Sequence, residues 1–376
     1  MQVRLVRKYG FADCDDDAGN ADMTMSFARQ PMLVLVTALV AGALWALAGA
    51  AAGVRAQEAG GELNLYSSRH YQTDQALYDD FTRQTGIRIN RLEGKGDALI
   101  ERIRSEGANS PADVLVTVDA GRLWRADQAG LFQPVRSAVL EARIPSYLRH
   151  PEGHWFGFST RARMIFYNKE LADPAGLARY EDLADPRWRG QICIRSSSNI
   201  YNLSLMASLI AHHGVAEAER WAEGVVANFA RPPQGGDTDQ LRAVAAGECA
   251  VGVANGYYFA RLMLSDRPGD AAVVEKVAAV FPNQADRGTH VNVSGAGVLR
   301  NAPNRDNAIR FLEYLASDQA QRYFANGNNE YPVVKGLLDN PALAELGDFR
   351  TDTLNVSVYG ENQPEAQRVY DRAGWK

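Results

Sequence analysis

The stretch Asn255-Gly256-Tyr257-Tyr258-Phe259-Ala260-Arg261 places two adjacent tyrosines directly after an apolar run at residues 249–254. That run is typical of a buried parallel strand, and residues 259–264 predict the start of a helix. In open α/β sheets, ligands bind where the carboxyl end of a strand meets the next helix. Tyr257 and Tyr258 are therefore predicted at a binding crevice, where phenol oxygens suit a small, highly charged cation.

The chain before this stretch alternates between strands and helices from residue 62 onward. Strands are predicted at 62–66, 87–92 and 112–118, and helices at 75–85, at 98–105 and, with Asp119 as its cap, up to Gly130. This order is typical of an α/β fold, in which a mainly parallel sheet carries helices on both faces.

A second α/β lobe is predicted after residue 157. Its strands lie at 191–195 and 249–254 and its helices at 200–212 and 237–246, while two extended segments at 154–167 and 277–297 connect the lobes. We expect a hinged molecule whose parts are lobe 1 (57–157 and 288–335), lobe 2 (158–287) and a C-terminal segment (336–376) packed on both.

The N-terminus has the features of an export signal. Residues 1–24 are polar, Met25 opens a better leader, and an uncharged run at 32–54 ends in Val54-Arg55-Ala56. The small residues around position 55 predict cleavage near Ala56, which makes 1–56 a leader with its start at Met25. An uncleaved anchor is the alternative, but the Ala- and Gly-rich second half of the run favours cleavage and a periplasmic protein.

Composition excludes several classes of protein. The 376 residues carry a net charge of -5, so no basic surface indicates nucleic-acid binding. Three cysteines, Cys14, Cys193 and Cys249, are too few for a disulfide framework or a cysteine-based zinc site. In an exported protein Cys193 and Cys249 form either a disulfide or two buried thiols.

Further phenols follow the other predicted strands. His70 and Tyr71 come after the first strand, and Tyr201 lies in the first turn of the helix at 200–212. In a two-lobed fold these turns and Tyr257-Tyr258 face one cleft, which predicts four phenols and one imidazole around one point.

Three motifs carry a resemblance to a known family. They are Leu65-Tyr-Ser-Ser-Arg-His-Tyr71, Ser196-Ser-Ser-Asn-Ile-Tyr201 and Asn255-Gly-Tyr-Tyr258. Together and in this order they resemble the periplasmic ferric-iron-binding proteins of ABC transporters, in the tyrosine-rich branch of the transferrin-like ferric-binding family. The resemblance covers nearly all of the chain from about residue 61 and implies a type II two-lobed solute-binding fold. In that fold each lobe is a mainly parallel sheet flanked by helices, with a hinge and an interdomain cleft.

The resemblance also implies roles for individual residues. Iron ligands are expected at Tyr71, Tyr201, Tyr257 and Tyr258, with His70 at a position that ligates in some members. Arg161 and Arg261 correspond to arginines that neighbour the ligands.

The chemistry of these side chains agrees with such a site. Free tyrosine has a pKa near ~10, so a phenolate at neutral pH needs a strong positive charge beside it. Four phenolates on Fe³⁺ leave one negative charge, which Arg161 or Arg261 can offset. Ser197 and Asn199 at a helix start are candidates to hold an anion such as carbonate. The sequence leaves open whether Fe²⁺ is also bound.

We therefore expect an exported, non-enzymatic and monomeric protein that captures Fe(III) and delivers it to an ABC permease with its ATPase. The alternatives on the same fold are binders of a polyamine, thiamine or an inorganic anion, although a polyamine site needs carboxylates at these turns. A non-haem ferric enzyme is a further alternative, but it usually needs more than one histidine, and only His70 is near. His150, His154 and His290 are assigned no metal role.

Overall fold

The computed structural model describes residues 60–69 and 71–376. The predicted leader at 1–56 and His70 therefore lie outside the described residues. The described strands are β1 (Glu62–Ser67), β2 (Arg88–Glu93), β3 (Val114–Val118), β4 (Phe156–Asn168), β5 (Ile192–Cys193), β6 (Val251–Asn255), β7 (Val277–Val280), β8 (Val291–Val298) and β9 (Tyr331–Pro332).

The helices pack around these strands, and those that the sequence analysis predicted begin close to the predicted positions. They are α1 (Asp74–Thr85), α2 (Gly96–Glu106), α3 (Ala120–Gln128), α4 (Ala138–Arg143), α5 (Ile200–His213), α6 (Val215–Ala227), α7 (Asp237–Ala245), α8 (Gly256–Met263), α9 (Pro268–Lys276), α10 (Arg305–Leu315), α11 (Asp318–Asn328), α12 (Pro341–Leu346) and α13 (Ser357–Arg372). Gly86 ends α1 in the left-handed conformation, as its place after the last periodic residue predicts.

The long strand β4 joins two portions of sheet. Its residues 156–162 pair with β8, and residues 163–168 pair with β6 and β7. The strand order is β2-β1-β3-β8-β4-β6-β5, with β7 and β9 also on β4. We call β1, β2, β3, β8, β9 and residues 156–162 the first sheet half, and β5, β6, β7 and residues 163–168 the second sheet half.

Strand directions depart from the mainly parallel sheets predicted from the sequence. β1 pairs in parallel with β2 and β3, and β5 with β6, as expected. All the neighbours of β4 are antiparallel to it, and β3 is antiparallel to β8. The reason is that β4 itself crosses between the sheet halves and β8 directly follows the second crossing, so their direction is set by the crossings and not by a strand–helix–strand unit.

The chain crosses between the sheet halves twice. It leaves the first half along β4 and returns through residues 281–290, between β7 and β8. Both crossings fall in the extended segments that the sequence indicated. The lobe limits of 57–157 with 288–335 and 158–287 stay predictions.

Asp119 ties β8 to α5. Its carboxylate caps α3 by accepting a 2.8 Å hydrogen bond from the Gly121 backbone, as predicted. The same carboxylate accepts from the Ser204 hydroxyl on α5 at 2.9 Å and from the Asn292 amide on β8 at 2.8 Å. Burial raises the pKa of Asp119, against these hydrogen bonds.

The C-terminal helix α13 packs against α3 and α5. The Tyr370 hydroxyl donates to the Asn202 carbonyl at 2.8 Å, and the backbone of Gly360 lies so close to Trp124 that a Cβ there would be 2.2 Å from its side chain. The segment at 336–376 thus contacts helices attached to both sheet halves.

Cys193 and Cys249 form a disulfide, with their Cα atoms 5.8 Å apart. Of the two alternatives that the sequence left open, the structure has the disulfide. Among residues 60–69 and 71–376 there is no helix long and apolar enough to cross a membrane.

Candidate metal centre

The adjacent tyrosines lie at the junction of β6 and α8. Helix α8 begins at Gly256, earlier than the predicted start at residue 259, so Tyr257 and Tyr258 are in its first turn. Gly256 packs against Met164, where a Cβ would meet the sulfur at 2.7 Å. The two rings stack with centroids 4.1 Å apart, and Tyr257 is only 3% exposed.

Tyr201 approaches this pair from the start of α5. Asn199 caps the helix, because its side-chain oxygen accepts a 3.1 Å hydrogen bond from the Tyr201 backbone. The Tyr201 hydroxyl then lies 3.4 Å from the Tyr257 hydroxyl. Three of the four predicted phenols are therefore together in the second sheet half.

Tyr71 joins them from the first sheet half, just beyond β1. The guanidinium carbon of Arg261 lies 5.1 Å from the centroid of the Tyr71 ring. It is also 5.0 Å from the centroid of Tyr257 and 5.8 Å from that of Tyr258. Arg261 is thus in contact with tyrosines from both sheet halves, and the structure brings all four phenols and this arginine together.

Burial favours the protonated forms of Tyr257 and Tyr258. The pKa of Tyr257 is raised well above its ordinary value, first by burial and then by Tyr201, Tyr258 and Tyr71. Burial, Tyr201 and Asp237 raise the pKa of Tyr258 in the same direction. A cation that binds these oxygens must therefore displace protons, and a trivalent ion has the charge to do so.

Arg161 is buried beside the phenols and paired with a carboxylate that the sequence did not reveal. Its Nε and Nη2 atoms each lie 3.1 Å from Glu330 Oε1, while its guanidinium carbon is 5.8 Å from the Tyr257 ring centroid. Burial would lower the pKa of Arg161, but Glu330 and the phenols outweigh it and raise the pKa. Most of its positive charge is therefore offset by Glu330.

Arg69 and Asp74 complete this group, which we call the first network (Arg69, Asp74, Arg161 and Glu330). Arg69 contacts Asp74 through Nε at 3.0 Å and Glu330 through Nη1 at 3.0 Å. It also lies 4.9 Å from the centroid of the Tyr71 ring. Burial on its own would raise the pKa of Glu330. The positive charges of Arg161 and Arg69 outweigh burial and lower this pKa to about 2.

A second network (Arg163, Arg195 and Asp237) lies beside Tyr201. Asp237 accepts from Arg163 Nη1 at 2.7 Å, from Arg195 Nη1 at 3.3 Å and from the Asn255 backbone at 2.8 Å. The guanidinium carbons of Arg163 and Arg195 are 5.9 and 5.5 Å from the Tyr201 ring centroid. The sequence analysis missed all three residues, although Arg161 and Arg163 share one face of β4 by the two-residue period of a strand.

Ser197 and Asn199 have local structural contacts at the start of α5. The Ser197 backbone donates to the Lys376 carbonyl oxygen at 3.2 Å, and Asn199 caps the helix as described above. The Ser197 donor proposed for an anion is thus used within the chain. An anion at these residues stays a prediction.

A cavity of about 510 Å³ opens beside Tyr201. Its lining includes Ser68, Lys95 and Arg122 as well as Tyr201. Of the four tyrosines, Tyr201 is the one in this lining.

The whole arrangement offers hard oxygen donors inside an arginine-rich surround. Arginines outnumber carboxylates by two among the residues around the phenols, which are Arg69, Arg161, Arg163, Arg195, Arg261, Asp74, Asp237 and Glu330. Phenolates gain from such an excess of positive charge, and hard trivalent cations prefer oxygen ligands.

Comparison with known proteins adds independent evidence. Residues 109–346 match the family described as bacterial extracellular solute-binding protein. Iron uptake protein A2 of Synechocystis is 56% identical over 356 residues, covering 94% of this chain and 100% of that protein.

Solved structures are similar over the same region. A Trichodesmium FutA (IdiA) protein in complex with iron and citrate has a TM-score of 0.82 at 61% identity, covering 84% of this chain and 100% of its own. The ferric binding protein from Campylobacter jejuni has a TM-score of 0.78 at 40% identity, with coverages of 84% and 100%.

Proposed function

The chain belongs to the bacterial extracellular solute-binding proteins, and from this premise we propose that it captures Fe(III) through Tyr71, Tyr201, Tyr257 and Tyr258. The type II solute-binding fold expected from the sequence is confirmed by the solved relatives, and so is the resemblance to ferric-binding proteins. Those relatives are named for iron uptake and ferric binding, which supports the proposed capture of iron.

The observation that carries the proposal is the convergence of four phenols from both sheet halves: Tyr71, Tyr257 and Tyr258 share Arg261, and the Tyr201 hydroxyl neighbours that of Tyr257. Scattered packing tyrosines do not need to share one arginine, and their hydroxyls do not need to lie 3.4 Å apart. Fe³⁺ joins these oxygens by replacing their protons, and the surrounding arginines stabilise the negative charge that remains.

The ligand atoms and the charges around them determine which ions the site favours. Zn²⁺ and Cu⁺ prefer imidazole or thiolate, and the described part of the site presents phenols instead. Reduction to Fe²⁺ removes one positive charge and weakens the attraction to four phenolates. Reduction, protonation or opening by the transporter would each release the ion.

Three further parts of the proposal concern groups beyond this geometry. His70 is a candidate fifth ligand, and an exogenous anion such as carbonate is a candidate to complete the shell. The protein would act as an exported monomer after cleavage near Ala56. Its partner would be an inner-membrane ABC permease with its ATPase, and the protein itself would carry out no reaction.

The rival ligands have less support. A polyamine needs free carboxylates, whereas Asp237 and Glu330 in the described site are each held by two arginines. A ferric oxygenase usually needs several histidines. The sequence places a single histidine, His70, directly beside one of the proposed tyrosine ligands.

The experiment is a visible absorption titration with ferric citrate. The protein lacking residues 1–56 is used, because the solved Trichodesmium structure matches over 100% of its own length while covering only 84% of this chain. Tyr201→Phe and Tyr257→Phe are compared with Tyr323→Phe, which changes a tyrosine on α11. We expect a phenolate-to-iron band that saturates at one equivalent and weakens only in the first two variants. A colourless protein that takes up no iron would contradict the proposal.

A further inference from the structure

A second group of potential metal ligands lies at the far end of α3. Asp127 is near the C-terminal end of that helix, and His150 and His154 flank the turn that leads into β4. His154 Nδ1 is 2.5 Å from Asp127 Oδ1, and His150 Nε2 is 3.5 Å from Asp127 Oδ2. One ligand atom from each residue lies within 4.8 Å of the others.

The two imidazoles are held in a fixed arrangement. Their rings stack with centroids 4.6 Å apart and planes 4° from parallel. The turn between them is closed by a 3.0 Å hydrogen bond from the Gly153 backbone to the His150 carbonyl. Gly153 has φ +78, and a Cβ there would lie 2.4 Å from the Val135 carbonyl oxygen, so this turn requires glycine.

The side chains are partly shielded but reachable. The exposed fractions are 10% for Asp127, 16% for His150 and 23% for His154. The neutral imidazole is the form that binds metals, and two stacked rings can offer it side by side.

We propose that Asp127, His150 and His154 form a second metal site, for a divalent first-row transition ion of the Zn²⁺ class. Two imidazoles and one carboxylate are a ligand set that such ions accept, and a spacing of three residues between histidines occurs in zinc sites. The tyrosine cluster offers only hard oxygens by comparison. The two sites therefore select different ions.

Metal binding changes specific contacts. An ion between His154 Nδ1 and Asp127 Oδ1 replaces the proton that these atoms share. The Zn–N distance is about 2.0 Å, so tetrahedral ligand atoms lie about 3.3 Å apart and the widest separations must shorten. When His150 binds the ion through Nε2, its ring proton lies on Nδ1. The Nδ1 atom then gives up the 3.2 Å hydrogen bond that it accepts from the Glu152 backbone, which is in an exposed turn.

The position of the cluster makes it independent of iron capture. Asp119 at the start of α3 contacts Ser204, one helical turn beyond Tyr201. Asp127 follows eight residues later, or about 12 Å along the helix axis. We therefore expect iron at the tyrosines and zinc at the histidines to bind together.

The test is zinc binding by equilibrium dialysis of untagged protein lacking residues 1–56. It is run on the iron-loaded wild type, on His150→Ala and His154→Ala, and on His213→Ala as control. His213 also pairs with a carboxylate, Glu181, at 2.7 Å. We expect one zinc in the wild type and the control, and binding at least ~10-fold weaker in the other two variants.

The same dialysis on metal-free Tyr257→Phe keeps the test separate from iron capture. This variant removes a tyrosine oxygen that could itself hold zinc, and it needs no iron loading. We expect histidine-dependent zinc binding in this background whether or not the tyrosines hold iron. His154→Gln, checked for an unchanged melting temperature, excludes loss by unfolding. No zinc uptake, or uptake that His150→Ala and His154→Ala leave unchanged, would overturn the proposal.

Discussion

The first and second networks hold different numbers of charges beside the tyrosines. In the first network two arginines, Arg69 and Arg161, face two carboxylates, Asp74 and Glu330. In the second, Arg163 and Arg195 share the single carboxylate of Asp237. The unbalanced network lies in the sheet half that supplies three of the four phenols. The excess positive charge is thus on the side where most phenolates would form.

The two networks also differ in what each carboxylate supports. Removing Glu330 leaves Arg69 with Asp74, whereas removing Asp237 leaves both arginines without a carboxylate among their described contacts. Breaking a buried ion pair from one side leaves an uncompensated charge, which costs more than the pair itself contributes. The comparison therefore predicts unequal effects for equivalent substitutions.

The largest expected effect is on stability. Asp237→Asn should lower the free energy of unfolding by about 3–5 kcal/mol, and Glu330→Gln by less, because one arginine keeps a partner. Urea denaturation of the iron-free protein measures both. Glu217→Gln, at an exposed pair with Arg220, is the control and should change little. Equal losses in the two buried variants would remove the distinction between the networks.

Within the first network, a dependence of stability on pH is predicted at Glu330. Its pKa in the folded protein is about 2, below the ordinary value of 4.5, so its stabilising effect is present above pH 4.5. That effect, about 3 kcal/mol, is lost as the pH falls from 4.5 towards 2. Glu330→Gln should flatten the stability profile in this window. Glu181→Gln is a useful reference, since the pKa of Glu181 is also lowered to about 2. A Glu330→Gln profile identical to the wild type would contradict the ion-pair account.

Iron affinity should also differ between the two sides. Tyr257→Phe removes a buried hydroxyl that neighbours the hydroxyl of Tyr201. We expect the iron affinity to fall by about 100-fold or more, which exceeds the loss expected for residues that only support the ligands. Tyr71→Phe should lose less, because Tyr71 is partly exposed and water can take the vacated position. Competition with citrate measures both constants. A larger loss for Tyr71→Phe would mean that closure from the first sheet half dominates.

The smallest effect is expected at Arg261. Arg261→Gln removes the guanidinium that contacts three of the tyrosines, and a loss of about 10-fold in iron affinity is expected. Arg261→Lys should recover part of it, because the charge is kept while the planar group is lost. If Arg261→Gln binds iron as the wild type does, the excess charge of the second network is sufficient alone.

The tyrosines could be predicted because each follows a strand whose position is set by local pattern. Tyr201 and Tyr257 each lie in the first turn of a helix that follows a predicted strand. The helix starts that follow parallel strands meet at one edge of an α/β sheet. The helices at Asp74–Thr85 and Ile200–His213 were likewise predictable from their periodicity and their end residues.

The paired charges could not be predicted, because burial of an arginine depends on a distant partner. Arg161 and Glu330 are 169 residues apart, and the sequence alone does not show that they meet. The grouping of His150 and His154 with Asp127 has the same limit, since this carboxylate comes from α3. The antiparallel pairing of β4 was missed because the crossing strand was considered a linker and not part of both sheet halves.

The most direct test of the central claim is the crystal structure of the iron-loaded protein, with anomalous diffraction at the iron edge. We predict a single strong peak bonded to the hydroxyl oxygens of Tyr71, Tyr201, Tyr257 and Tyr258, between the two sheet halves. A peak elsewhere, or iron held by the tyrosines of only one sheet half, would contradict the account.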